Sequence, residues 1–287
     1  MLSIGLPVYN GEKSIEKSIN SLLNQTFTDF ELIISDNASN DNTEKICREY
    51  AKKDSRIKYY RQDKNIGFIK NYEYVLKQSE KKYFMFTSDH DIKEKTFIEK
   101  NIQVLESDPN TVGSISEIDF YGNEKELKIR YRGKGNYKIK EKYRFVHPAK
   151  GSFQDKFVFY LNFMESSMLY GIFRRKELQN CIGFHHQPWD LMVILRILEY
   201  GDLHVIDEIL LHRFVGGLSS KDIYKNLRGE KFSRIELLFM FAPFFRYVIN
   251  QFGFGFFIKN FKIMIKLCIR GHGRIILDNF RKMRDLF

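Results

Sequence analysis

The sequence predicts an α/β fold: a mostly parallel central sheet flanked by helices, followed by a helical basic and aromatic module at the C-terminal end. Two observations predict it. Short apolar runs alternate with helical patterns in the first third of the chain, which is typical of parallel sheets covered by helices. Residues 231–287 then carry eleven Lys and Arg against three Asp and Glu, together with many Phe, Ile and Leu. At 287 residues the chain is long enough for one large domain or two small ones.

The N-terminal elements follow from hydrophobic periodicity, because buried strands are short apolar runs and helices repeat their apolar residues every three or four positions. The predicted strands are Ile4–Val8, Leu32–Ser35, Ile57–Tyr60 and Tyr83–Thr87. The predicted helices are Glu12–Asn24, Asn42–Lys53 and Phe68–Gln78. The segment 122–150 has many Lys, Gly and Tyr and little periodicity, which predicts a long irregular loop.

The composition is that of a globular protein, with 43% hydrophobic and 29% charged residues and a formal net charge of +11. This balance argues against wholesale disorder. The three cysteines, Cys47, Cys181 and Cys268, lie far apart, which excludes a disulfide framework or a cysteine zinc site and fits a reducing compartment. No secretory leader and no spanning segment is evident, so we expect a cytoplasmic location.

Small, polar or acidic residues follow all four predicted strands. They are Pro7-Val8-Tyr9-Asn10-Gly11, Asp36 to Thr43, Asn65-Ile66-Gly67 with Asn71, and Ser88-Asp89-His90-Asp91. The carboxyl ends of parallel strands meet at one edge of a sheet, which is where ligands bind in such folds. Taken singly, each group has a simpler interpretation as a turn or a helix cap. Their joint placement favours a binding site.

The acidic pair Asp89 and Asp91 indicates phosphate binding through a metal. Two carboxylates two residues apart can share a hard divalent cation such as Mg²⁺ or Mn²⁺, which prefers oxygen ligands and substrate phosphates. The chain contains neither a P-loop nor a G-x-G-x-x-G turn after a strand. A metal that neutralises a diphosphate leaving group is therefore the expectation.

The ordered set of motifs resembles the family 2 glycosyltransferases, which have the glycosyltransferase A fold with its Rossmann-like nucleotide-binding half. The matching segments are Ile4 to Gly11, Ser21 to Thr26, Asp36 to Thr43, Asn65 to Gly67 with Asn71, and Asp89-His90-Asp91. A looser match continues through Tyr170 to Arg175, Trp189-Asp190-Leu191 and Leu210 to Arg213, so that the resemblance covers about residues 1–215.

The resemblance implies a role for each matching position. Pro7, Tyr9 and Asp36 correspond to the places that hold the base and ribose of the donor, and Asn65, Gly67 and Asn71 to the loop that shapes that pocket. Asp89 and Asp91 would serve the metal and the diphosphate. Asp190 matches the general base that acts on the acceptor hydroxyl in inverting members, and His212 lies where a C-terminal segment can close over the donor phosphates.

The match has departures and open alternatives. Many relatives have acids where this chain has Ser88 and His90, so the acidic motif aligns either as Ser88-Asp89-His90 or as Asp89-His90-Asp91, and only the second keeps two carboxylates. Asp190 also has the sequence position of a first-turn helix acid. Adjacent side chains such as His185 and His186 rarely point at one metal ion. We therefore expect this pair to shape the acceptor pocket and not to bind a metal.

The C-terminal segment has the pattern of an amphipathic helix. Its basic residues fall at positions 259, 262, 266, 270 and 274, with Phe and Ile between them, as on helices that lie at anionic membrane interfaces. The alternative is that the apolar faces pack on the catalytic domain and leave a solvated basic face. No helix-turn-helix, zinc-finger or RNA-recognition pattern accompanies the charge, so no nucleic-acid partner is expected.

The resemblance, together with the acidic pair, implies a metal-dependent inverting glycosyltransferase that uses Mg²⁺ or Mn²⁺ and a nucleotide-diphosphate sugar, with UDP as the nucleotide common in the family. The expected acceptor is a saccharide or a lipid-linked saccharide in bacterial surface-polysaccharide synthesis (lipopolysaccharide, capsule or exopolysaccharide), with the protein peripheral on the inner face of the cytoplasmic membrane. The predicted boundaries are a catalytic domain at 1–220, divided at 120 into a nucleotide-sugar half and an acceptor half, and a module at 221–287. The alternative is an inactive relative that binds a saccharide or scaffolds partners.

Overall fold

The computed structural model describes residues 1–122, 124, 127, 145–163, 165–184, 189–215 and 241–268. The strands are β1 (Leu2–Val8), β2 (Phe30–Asp36), β3 (Ile57–Arg61), β4 (Tyr83–Phe86), β5 (Ile92–Lys93), β6 (Thr111–Gly122), β7 (Ile172–Arg174) and β8 (Asp202–Val215). The helices are α1 (Ile15–Leu23), α2 (Thr43–Lys53), α3 (Phe68–Lys77), α4 (Phe97–Ser107), α5 (Phe153–Phe163), α6 (Arg175–Cys181), α7 (Trp189–Ile197), α8 (Ala242–Lys259) and α9 (261–268).

The first four strands form a parallel half-sheet in the order β3-β2-β1-β4. Every residue of β1, β2 and β4 is buried, as expected for strands covered on both faces. Each predicted strand of this half is confirmed to within two residues at either end. Because β1 and β2 pair in register up to Val8 and Asp36, their carboxyl ends lie side by side at one edge.

In the second half of the sheet, β7 and β5 run opposite to the other described strands. Strand β7 pairs antiparallel with both β4 and β6, and β6 pairs in parallel with the fourteen-residue β8. The two-residue β5 pairs antiparallel with β8, with Ile92 opposite His212. The segment that follows β4 therefore pairs with the C-terminal part of β8.

Three sequence-based expectations fall wholly or partly on residues outside this description. They are the irregular loop at 122–150, which is described at 145–150 and at a few positions before it, the His185-His186 pair, and the C-terminal module, which is described over 241–268. The domain boundaries stay predictions.

The C-terminal helices pack on α5 through one aromatic face. The ring centroids of Phe252 lie 5.0 Å from Phe153 and 4.7 Å from Phe157, and Phe256 stacks on Phe252 at 4.5 Å. Gly253 interrupts α8 with a positive φ of 83°, a conformation that costs glycine little. The inner face of these helices therefore packs on the rest of the protein, as one of the two sequence-based alternatives has it.

No described helix combines the length and the apolar character needed to cross a bilayer.

The aromatic contact between α5 and α8 should contribute measurably to stability. Phe157 is fully buried, so we expect Phe157→Ala to lower the free energy of unfolding by about 3–5 kcal/mol, the usual cost of a large-to-small core substitution. Phe159 lies on the same helix but is 43% exposed, so Phe159→Ala is the matched control and should cost far less. Chemical denaturation measures both, and equal losses would contradict the packing described here.

Candidate active site

The loops after β1 and β2 are tied together by hydrogen bonds. The Asn10 amide donates to the Ser39 hydroxyl at 2.9 Å, and the Asn40 amide donates to the Asn10 side chain at 2.9 Å. Pro7 is buried within β1, and Tyr9 is half-buried just beyond it. The predicted base-binding positions therefore lie on a rim that its own hydrogen bonds hold in place.

Asp36 lies at the carboxyl end of β2 and is fully buried. Its Oδ1 accepts from the Ser39 amide at 2.8 Å, and its Oδ2 accepts from the Tyr59 hydroxyl at 2.9 Å and from Arg61 Nη1 at 3.0 Å. Burial and this carboxylate raise the pKa of Tyr59 well above its ordinary value, so Tyr59 remains a donor. Asp36 is a buried charge with three donors, as such a group requires.

Asparagine side chains shape the loop after β3. The Asn37 side chain donates to Asn65 Oδ1 at 3.0 Å and accepts from the Ile66 amide at 2.8 Å, and Asn65 also accepts from the Gly67 amide at 2.9 Å.

Asn71 lies below this loop, buried within α3. Its Oδ1 accepts from the Ser35 hydroxyl at 2.6 Å and its amide donates to the Ser35 carbonyl at 3.0 Å. The structure gives Asn71 a supporting position under the end of β2, and donor contact by Asn71 stays a prediction.

Asp89 is half-buried in the acidic loop, against the turn that follows β1. Its Oδ2 accepts from the Ser14 hydroxyl at 2.8 Å, and its Oδ1 lies 3.0 Å from His90 Nδ1. Burial raises the pKa of Asp89, but His90 and Ser14 outweigh it and hold the pKa below its ordinary value. A Cβ on Gly11 would lie 2.7 Å from Val8 Cγ2 and 3.0 Å from Asp89 Oδ2, so a larger residue at this position would have to displace these side chains.

Asp91 is fully buried and faces cations of its own protein. Its Oδ1 lies 3.4 Å from Arg213 Nε, and its Oδ2 has no hydrogen-bond partner among the residues described. Arg213 stacks 3.7 Å above the centre of the Tyr170 ring. Lys93 is buried beside this pair and donates to Thr87 at 2.6 Å; burial lowers the pKa of Lys93 to about 8, although the Asp91 charge opposes that shift.

His212 precedes Arg213 on β8 and points to the opposite face of the strand, because successive side chains alternate. Its Nε2 lies 2.9 Å from Glu94 Oε1 and its Nδ1 lies 4.0 Å from Asp119 Oδ2. The ring is therefore held between two carboxylates, and its predicted contact with donor phosphates stays a prediction.

Asp190 lies in the first turn of α7 and is half-buried. Its Oδ1 accepts from the Leu191 amide at 2.9 Å, and its Oδ2 accepts from the Ser166 hydroxyl at 2.6 Å. The neighbouring Trp189 is buried against α3, with its ring centroid 5.4 Å from Tyr72 and 6.0 Å from Phe68. Asp190 is thus a first-turn acid whose second oxygen is held by a hydroxyl from another part of the chain.

A short turn connects Asp190 with the acidic loop. Ser166 bonds Asp190, and the adjacent Ser167 hydroxyl lies 3.4 Å from Arg213 Nη1. Since Arg213 also contacts Asp91, a continuous chain of contacts connects the predicted base with the acidic loop. The structure brings them together through two neighbouring serines.

Sequence reasoning assigned no role to Ser166 or Arg213. Ser166 lies 24 positions before Asp190, and no spacing rule predicts that contact. Arg213 is the last residue of the matched segment Leu210 to Arg213. Because side chains alternate along a strand, only one of His212 and Arg213 can face Asp91. Which of them does so follows from the pairing of β8 with its neighbours.

The acidic loop can supply part of the ligand set of a divalent cation. Asp89 has one partner on each carboxylate oxygen, which leaves further lone pairs for a metal. Asp91 retains one unbonded oxygen but lies beside two cations that repel a metal ion. Among the residues described, no three His, Cys, Asp or Glu lie together as a metal cluster. The residues therefore fit a cation held mainly by Asp89 and the oxygens of a bound diphosphate, as is common for Mg²⁺.

Comparison with known proteins assigns the family. The model of glycosyl transferase family 2 matches residues 3–200. The chain belongs to that family. Residues 1–215, over which the sequence resembles this family, include the whole of the match.

Two curated relatives and one solved structure illustrate the similarity. The chain is 36% identical over 91 residues to the GalNAc(5)-diNAcBac-PP-undecaprenol beta-1,3-glucosyltransferase of Campylobacter jejuni, covering 31% of this chain and 29% of that protein. It is 30% identical over 105 residues to TuaG of Bacillus subtilis, a putative teichuronic acid biosynthesis glycosyltransferase, covering 37% of this chain and 42% of that one. The aligned segments thus span less than half the length of either relative.

The solved structure is that of residues 1–349 of S. aureus TarS in complex with UDP-GlcNAc. It superposes with a TM-score of 0.62 at 20% identity and covers 87% of this chain and 66% of that one. The glycosyltransferase A fold expected from the sequence is thereby confirmed.

The ion pair between Asp91 and Arg213 should be costly to break from one side. Arg213→Ala leaves a fully buried carboxylate with no guanidinium beside it, so we expect the free energy of unfolding to fall by about 3–5 kcal/mol. Asp91→Asn in the same chain should recover part of that loss. Arg48, whose pair with Glu44 is exposed, provides the control variant Arg48→Ala. Equal losses at Arg213 and Arg48 in urea denaturation would contradict the role of the pair.

Proposed function

We propose that this glycosyltransferase is an inverting enzyme that transfers a sugar from a nucleotide-diphosphate sugar, with UDP as the nucleotide, to a saccharide or lipid-linked acceptor. The observation that carries the proposal is the Asp190 carboxylate, which Ser166 holds and which contacts through Ser167 and Arg213 connect with the acidic loop. A carboxylate so placed can accept a proton from an acceptor hydroxyl. The UDP-GlcNAc bound to TarS supports the choice of nucleotide.

In the proposed reaction, Asp190 takes the proton of the acceptor hydroxyl. The acceptor oxygen bonds to the anomeric carbon as the bond from that carbon to the diphosphate oxygen breaks on the opposite face, so the configuration inverts. Ser166 and the Leu191 amide each donate to one oxygen of this carboxylate and orient it. No covalent intermediate is needed, and burial raises the pKa of the Cys47 and Cys181 thiols to about 12, which leaves both protonated.

The donor would be bound by Asp36, by the loops after β1 and β3, and by Asp89. Asp89, with Asp91 as the second predicted ligand, would hold Mg²⁺ or Mn²⁺. Such a cation, when bound, offsets the charge that develops on the departing diphosphate. The low pKa of Asp89 supports this role, because the carboxylate is ionised at neutral pH.

The proposed setting is bacterial surface-polysaccharide synthesis at the inner face of the cytoplasmic membrane, with the protein bound peripherally. The teichuronic acid pathway named for the B. subtilis relative and the undecaprenol named for the C. jejuni relative support this setting. The basic C-terminal sequence agrees with it.

A second candidate is an inactive relative that binds a saccharide or scaffolds partners. One observation favours it: Ser88 and His90 stand where many family members have acids, and the remaining Asp91 is paired with Arg213 inside the protein. Hydrolysis of the donor that depends on a metal separates the two candidates.

A nucleotide panel tests the donor site. UDP, GDP, dTDP and CDP are each added with Mn²⁺ and with EDTA, and the thermal unfolding midpoint is recorded. A nucleotide at a hundred times its dissociation constant should stabilise the fold by about 2.7 kcal/mol. We expect UDP to give the largest shift, EDTA to reduce it, and Asp89→Ala to reduce it equally. A shift unchanged by both EDTA and Asp89→Ala would remove the metal from the proposal.

A second variant tests the base. Asp190→Asn keeps the size and the first-turn position but cannot accept the proton, so transfer should slow by at least about a hundredfold with nucleotide affinity nearly unchanged. Release of the nucleoside diphosphate from the matching sugar nucleotide measures transfer. Asp155 is the matched control, since it also lies in a first turn and accepts from a serine hydroxyl. Wild-type rates in Asp190→Asn would exclude Asp190 as the base.

A further inference from the structure

The C-terminal helices have an outer face that combines exposed apolar and basic side chains. Phe254 is 63% exposed, Ile258 is 55% exposed and Phe261 is 43% exposed. Lys259, Lys262 and Lys266 are exposed on the same segment. We call these six residues the outer face of α8 and α9.

The inner face of the same segment is already occupied. Phe252, Phe256 and Phe257 contact other aromatic rings, and Met264 and Leu267 are buried. The apolar residues of the outer face are thus additional to those needed for packing on α5. Exposed large apolar groups of this kind, clustered and bordered by charge, mark interaction surfaces.

The charge of this segment has one sign. Residues 241–268 contain four basic residues, Arg246, Lys259, Lys262 and Lys266, and no Asp or Glu. A protein partner reached through this face would need to be acidic, and a nucleic-acid duplex would leave Phe254, Ile258 and Phe261 unburied. An anionic bilayer satisfies both halves of the face, since its headgroups pair with lysine and its acyl boundary takes the apolar side chains.

We propose that the outer face of α8 and α9 binds the surface of an anionic lipid bilayer, with Phe254, Ile258 and Phe261 inserted below the headgroups and the three lysines at the phosphates. This inference rests on the membrane contact of the proposed function, and it identifies the surface that makes the contact and the charge of the lipid. Its test needs neither donor nor acceptor.

The geometry at Gly253 and Asn260 presents this face. The positive φ of Gly253 redirects the helix so that Phe254 follows on the exposed side. Asn260 is buried at the junction of the two helices: its side-chain amide donates to the Phe256 carbonyl of α8 at 3.0 Å, and its carbonyl accepts from the Met264 amide of α9 at 3.2 Å. The aromatic contact with α5 holds the face in a fixed position relative to the acceptor half.

Vesicle flotation of the full chain tests the proposal. Vesicles of phosphatidylcholine alone are compared with vesicles that also contain phosphatidylglycerol. We expect wild-type protein to float with the anionic vesicles and to remain behind with the neutral ones. Replacing Lys259, Lys262 and Lys266 by Gln should weaken partitioning by about a hundredfold, since each lysine near such a surface contributes roughly fivefold.

The lysine variant has a control of equal charge change. Lys45, Lys52 and Lys53 are exposed on α2, and replacing all three by Gln should leave flotation nearly unchanged. Equal weakening by both triple variants would mean that overall charge, and not this face, governs binding.

Replacing Phe254, Ile258 and Phe261 by Ser tests insertion. This variant should lose the binding that persists at high salt, because salt screens the lysines but not apolar contact. Tyr200→Ser with Ile209→Ser, at exposed apolar positions elsewhere, is the control. Thermal unfolding confirms that each variant folds, as these side chains contribute little to the core.

Several outcomes would overturn the inference. If the wild-type protein floats with neither kind of vesicle, this face is excluded as the lipid site. The same holds if the serine and glutamine variants float as well as the wild-type protein does. Self-association that the serine variant abolishes would assign the face to a second copy of the chain. Binding to single-stranded RNA that the glutamine variant abolishes, without flotation, would assign it to nucleic acid. A chain that floats but binds no nucleotide would overturn the transferase proposal and leave this one intact.

Discussion

The parallel pairing of β1 with β2 and β4 is the constraint on which the site depends. In-register pairing up to Val8 and Asp36 forces the loops after these strands to share one edge. Those loops carry short polar side chains, which bond one another across the gap between strands, as Asn10 does with Ser39. Buried apolar strands thus determine where polar chemistry can gather, although they contribute none of it.

A second constraint is the buried charge of the acidic loop. Asp91 carries its carboxylate into the core, where an isolated charge is costly, and Arg213 and Lys93 compensate it from β8 and β5. Arg213 also contacts the Tyr170 ring and the Ser167 hydroxyl, next to the Ser166 that bonds Asp190. The two halves of the protein therefore meet in an electrostatic contact as well as in a continuous sheet.

The sequence predicted the parallel half well because each of its strands is a short run of buried residues bounded by turn residues. It could not predict Ser166 or Arg213, since both contacts join segments far apart in the chain and depend on how β7 and β8 enter the sheet. It left open whether the C-terminal helices bind a membrane or pack on the catalytic domain. One aromatic face of these helices packs on α5, and membrane binding stays a prediction. The backbone at Gly253 changes which residues share a face, and no periodicity count anticipates that change.

Trp189 is the single tryptophan of the chain, and it is next to Asp190. It is 2% exposed, packed against Tyr72, Phe68 and Phe86, and its indole nitrogen has no partner among the residues described. When it is excited at a wavelength that tyrosine does not absorb, its emission therefore comes from one apolar place at the start of α7. The fold thus has a built-in fluorophore beside the carboxylate, and movement of α7 against α3 can be followed optically without any label.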